Sequence, residues 1–77
     1  MVREDDRDKF VKLAEARVAK ALKAIQLIGN LSNTSNYDFT DDDVAKIFRA
    51  INDEITTCRR RFEFARRKPS EARFTLE

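Results

Sequence analysis

VAKIFRAINDEITTCRRRFEFA, residues 44–65, is the stretch that decides the fold. Its apolar members Val44, Phe48, Ile51, Ile55, Cys58, Phe62 and Ala65 recur at alternating spacings of four and three, the period of a helix with one apolar seam. Immediately before it, Thr40 stands where a side-chain oxygen accepts from the free amides of a first helical turn, and Asp41, Asp42 and Asp43 lie against the positive end of the helix. Phe39 before that cap and Val44 four residues after it have the spacing of a hydrophobic staple. Pro69 lacks the backbone N–H that a helix interior needs. The second helix is therefore expected at about 41–67, with 69–77 a flexible tail.

Towards the amino terminus the same period returns. Val11, Ala14, Val18, Ala21, Ile25 and Ile28 alternate at threes and fours and place a first helix at about 5–28. Leu22 widens this seam, while Leu13, Ala16, Ala24 and Leu27 form a second apolar strip interrupted by Lys20. Gly29 follows the last periodic residue, where a left-handed cap is expected. Residues 29–40 then read as the loop, because the short polar side chains of Asn30, Ser32, Asn33, Thr34, Ser35, Asn36 and Asp38 compete for backbone partners and favour turns.

Two such helices joined by one loop make an all-α chain, with residues 1–68 forming a helical hairpin of two long antiparallel helices. A thin 77-residue chain with surplus apolar surface, including Ile47 and Phe64, is expected to dimerise into a four-helix bundle. One glycine and one proline argue against a turn-rich β fold, and 39% charged residues suit long solvated helix faces.

Composition also narrows the chemistry. There is no histidine and a single cysteine, Cys58, so neither an internal disulfide nor a Cys/His zinc site can be assembled within one chain. Cys58 lies on the seam between Ile55 and Phe62, where burial keeps a thiol unreactive. Asp38, Asp41, Asp42 and Asp43 fit a calcium loop poorly: a twelve-residue loop from Asn30 would put Ser35 at its turn glycine and Asp41 at its bidentate glutamate. The sole glycine excludes a Gly-rich phosphate loop. The expectation is a non-enzymatic protein with no catalytic residue, metal or cofactor. No apolar run approaches the roughly 20 residues of a membrane span, and the lone cysteine without a secretory-type leader points to a reducing cytoplasm.

Charge carries the functional colour. After Cys58 there are seven cations against three carboxylates, a surplus of four, whereas the preceding part holds nine against eleven. Arg59, Arg60, Arg66, Arg67 and Lys68 are the candidate phosphate contacts, with Phe62, Phe64 and Phe74 interleaved as aromatics. Against this, cations near a helix carboxyl end also complement its dipole, and a net charge of +2 is low for a dedicated nucleic-acid binder.

The block ALKAIQLIGNLSNTSNYDFTDDDVAKIFRAI, Ala21 to Ile51, resembles a recurrent block in short bacterial proteins, often labelled hypothetical, that share an IGNLSN-type loop, an aromatic pair and a second helix. The resemblance implies a bacterial cytoplasmic source and a helical hairpin, and it carries no activity. Its most distinctive part is the loop, which makes Asn33, Asn36, Tyr37 and Asp38 the candidate contacts for a protein partner. The leading expectation is a homodimeric interaction protein. The alternative is a small nucleic-acid-binding or regulatory protein that uses the basic end of the second helix.

Overall fold

A computed structural model describes the backbone of residues 4–72 and the side chains of residues 4–66. Those residues form two α-helices and one short 3-10 turn, with no strand among them: α1 spans Glu4–Gly29, the turn Asn30–Ser32 and α2 Asp41–Ala72. At 26 and 32 residues the helices are about 39 and 48 Å long at 1.5 Å per residue. The chain divides into two units, residues 1–38 around α1 and 39–77 around α2.

α1 starts with Glu4, Asp5 and Asp6 in its first turn, where negative charge complements the helix dipole. One turn further on, the Arg7 guanidinium lies 5.8 Å from the centre of the Phe10 ring, a cation–π contact between positions three apart. The helix ends at Gly29 as its sequence indicates, but not through a left-handed glycine. Gly29 is right-handed, with φ −60° and ψ −29°, and no described residue has a positive φ. The helix tightens into the 3-10 turn instead, and the Asn33 N–H donates to the Asn30 carbonyl at 3.3 Å. Asn33 then turns extended, at φ −73° and ψ 99°. A right-handed tightening of the last turn supplies partners to terminal carbonyls without any left-handed residue.

The start of α2 is held reciprocally. The Asp43 N–H donates to Thr40 Oγ1 and the Thr40 N–H donates to Asp43 Oδ2, each at 3.0 Å. This is a capping box in which a shorter aspartate takes the place usually held by glutamate. On the next turn Lys46 Nζ lies 3.1 Å from Asp42 Oδ2, with both side chains 72% exposed, so the pair adds only a few tenths of a kcal/mol.

The far end of α2 departs from the sequence expectation. The helix does not stop near Arg67 but continues through Pro69 to Ala72, and only residues 73–77 of the expected tail lie outside the described residues. Pro69 removes one helical bond, to the carbonyl of Ala65. Ser70, Glu71 and Ala72 keep Arg66, Arg67 and Lys68 as acceptors four residues back, so one lost bond near a terminus does not end the helix.

A buried core along the seams is also absent at the level of each unit. No described residue is buried; the best covered are half-exposed Val11, Ala14 and Ile28 on α1 and Val44, Ile47 and Ile51 on α2. Large seam residues stay open, from Ile25 at 42% to Phe62 at 57% exposed. The reason is geometric. A single helix covers its own seam only with the stems of its neighbouring side chains, and the rest of that surface requires another element.

Candidate functional site

The loop candidates fall into two kinds. Asn33 is the organiser of the turn: its Oδ1 accepts the Ser35 N–H at 3.0 Å, and its carbonyl accepts the N–H groups of Asn36 at 3.1 Å and Tyr37 at 3.0 Å. An asparagine that satisfies three donors in this way sets the path of the chain, through an Asx turn nested in a wider one. Asn36, Tyr37 and Asp38 are exposed on the segment that Asn33 shapes, and Tyr37 presents half of its surface. The loop thus offers a fixed backbone carrying one open aromatic ring beside a carboxylate.

The basic candidates lie on α2, and its register separates them. Positions three and four apart are neighbours on a helix surface. Arg59 and Arg66, three before and four after Phe62, therefore flank the apolar seam. Arg60 and Arg61, four and three before Phe64, share its neighbourhood, and Arg67 and Lys68 take the register positions three and four after it. Phe64 is two residues beyond Phe62, about 160° around the helix from it. It belongs to the face away from the seam and is 55% exposed. The five basic residues named from the sequence thus do not make one surface; Phe64, one of the three interleaved aromatics, groups by register with Arg60 and Arg61 and away from Arg59, Arg66 and Phe62. Counting by three and four from Phe64, not from the seam, is the signal that groups them.

The length of α2 changes the meaning of these cations. The described helix runs on to Ala72, five residues beyond the expected end near Arg67. Macrodipole stabilisation falls off within one turn. Arg59, Arg60 and Arg61 lie about three turns from that end, so the dipole gives no account of them.

Cys58, expected to be buried on the seam, is a free and exposed cysteine. Among the described residues no group of three His, Cys, Asp or Glu side chains is placed to hold a metal ion. Nor is any helix there long and apolar enough to cross a membrane.

No protein-family model, no curated protein and no solved structure matches the chain.

Proposed function

We propose that this chain is a non-enzymatic interaction protein that works as a self-assembled helical bundle: α1 and α2 fold back as an antiparallel hairpin, and two hairpins join as a homodimeric four-helix bundle. The observation that carries this reading is the exposure of the large apolar side chains on both helices, from Phe10 and Leu13 on α1 to Ile55 and Phe62 on α2. Burying them is the largest favourable term open to the chain, roughly 1.5–3 kcal/mol for each large side chain taken fully out of water. Monomeric proteins rarely leave so continuous an apolar surface wet.

The spacing supports the antiparallel register. Aligned that way, Ile28, Ile25, Ala21, Val18, Ala14 and Val11 meet Phe48, Ile51, Ile55, Cys58, Phe62 and Ala65 in order, so that alanines face the larger Ile55 and Phe62. The same alignment brings Asp8 towards Arg66 and Glu15 towards Arg59 along one edge. The second α1 strip, Leu13, Ala16, Ala24 and Leu27, is left over and supplies the surface for the second hairpin. At the loop end, Asn36, Tyr37 and Asp38, held on the Asn33 turn, form the contact surface for a protein partner.

Sedimentation across micromolar concentrations, read beside helical circular dichroism, tests the assembly. The expected result is a folded dimer whose melting temperature rises with protein concentration, because association with a second copy stabilises the folded state by mass action. A folded monomer with a concentration-independent melt would remove the dimer. Ile51→Asp, which puts an unpaired carboxylate into the seam, is expected to abolish both the dimer and the cooperative melt.

A further inference from the structure

We infer that the carboxyl-terminal half of α2 binds single-stranded nucleic acid on the face centred on Phe64. Three features of that face converge. Phe64 is 55% exposed and lies about 160° from the seam residue Phe62, so covering the seam leaves its ring open. All four of its helical neighbours are cationic: Arg60 and Arg61 precede it by one turn and are exposed, and Arg67 and Lys68 hold the matching register positions one turn beyond. Finally, Arg60 and Arg61 lie about three turns before Ala72, too far into α2 for a helix-end dipole to account for them.

An aromatic face set among guanidinium groups has a defined chemistry. The ring stacks on an unpaired base, whose π-face is open only in a single strand, and the planar guanidinium forks donate in pairs to the phosphates on either side. A duplex keeps its bases stacked on one another and has nothing to offer Phe64. An anionic bilayer fits less well. A helix lying in a membrane interface sets its cations along the margins of a broad apolar face, whereas here cationic residues hold the register positions around a single aromatic, on the side away from the apolar seam. The recognition is electrostatic with stacking added, and it is sequence-tolerant. Arg59 and Arg66, beside Phe62, belong to the seam margin, where their stems cover apolar surface.

Binding at this face does not depend on the dimer, and it has a separate readout. A fluorescently labelled twelve-nucleotide oligouridine, the matching RNA duplex, and vesicles containing phosphatidylglycerol are titrated with the full chain at 50 and 200 mM salt. The single strand is expected to bind tightest, with affinity falling more than tenfold between the two salts. Phe64→Ala is expected to weaken it about tenfold, with helicity and melting unchanged, since base–aromatic stacking is an appreciable part of such binding. The double variant Arg60→Glu, Arg61→Glu should abolish binding at 200 mM salt. Lys12→Glu with Lys23→Glu on α1 makes the same change in net charge and should leave most of it. The inference is overturned by no binding at 50 mM salt, by equal binding of duplex and single strand that ignores Phe64→Ala, by equal losses in the two charge variants, or by a preference for the vesicles.

Discussion

Removing the hydroxyl of Thr40 should cost the chain a measurable part of its stability, and the size of the loss follows from two bonds. Thr40 Oγ1 accepts the Asp43 N–H, and Asp43 Oδ2 accepts the Thr40 N–H, both at 3.0 Å. Thr40→Val keeps the shape of the side chain and removes only the first bond, at a cost of about 1 kcal/mol. For a domain of this size that corresponds to a melting temperature lowered by roughly 4–8 °C. Thr40→Ser keeps the oxygen and should melt within about 2 °C of the parent on the same scale. Asp43→Ala loses the second bond together with a negative charge in the first turn, a comparable loss of about 1 kcal/mol. The two losses should not add, because once the Asp43 amide is released the first turn frays and its carboxylate no longer holds its position; a coupling of about 0.5 kcal/mol is expected. The measurement is thermal and urea unfolding by helical circular dichroism at one protein concentration, since the melt of a self-associating chain depends on concentration. A Thr40→Val variant that unfolds like the parent, or a Thr40→Ser variant that loses as much as Thr40→Val, would refute the capping argument.

Pro69→Ala restores the missing amide near the end of α2, and circular dichroism should report a gain in helicity and a slightly later melt, well below the roughly 3 kcal/mol of a mid-helix proline because the site is terminal. Asn33→Ala removes the acceptor of the Ser35 N–H, so faster amide hydrogen exchange is expected at Ser35 while exchange in α1 stays unchanged. Lys46→Ala breaks an ion pair that is 72% exposed on both sides, and a shift in stability above about 0.5 kcal/mol in urea unfolding would contradict its assignment as a weak surface pair.

How far the sequence can be read depends on the distance over which each feature is determined. Both helices, the position of the loop and the cap at Thr40 are visible because periodicity and capping are set within four residues, the reach of a helical hydrogen bond. The reciprocal bond from Asp43 was within the same reach, but three consecutive aspartates at 41–43 conceal which of them turns back to the cap. Gly29 and Pro69 misled for a related reason. Glycine permits a left-handed residue without requiring one, and the 3-10 turn at Asn30–Ser32 closes α1 another way. Proline removes one bond and so weakens a helix near its end without terminating it. Burial was the least legible property. The seams name the residues that seek cover, such as Cys58 and Phe62, but a repeat along one helix does not say what lies across from it.

The two ends of α2 are unequal in a way that bears on function. At its amino end every acid serves the helix locally. Asp43 closes the cap, Asp42 pairs with Lys46, and Asp41 stands with them in the first turn against the positive end of the dipole. These acids are accounted for by the helix itself. The cations of the other half are not. Arg59, Arg60 and Arg61 lie about three turns before Ala72, beyond the reach of a helix-end dipole, and the seam accounts for Arg59 and Arg66 only, as edge residues beside Phe62. Arg60 and Arg61 remain with Phe64 on the face away from the seam, where mutual repulsion and a wet aromatic ring are both unfavourable to an isolated helix. A surface that the helix does not need for its own stability is relieved by an anionic partner with a stackable face, and that is the argument for looking for the partner there before the loop.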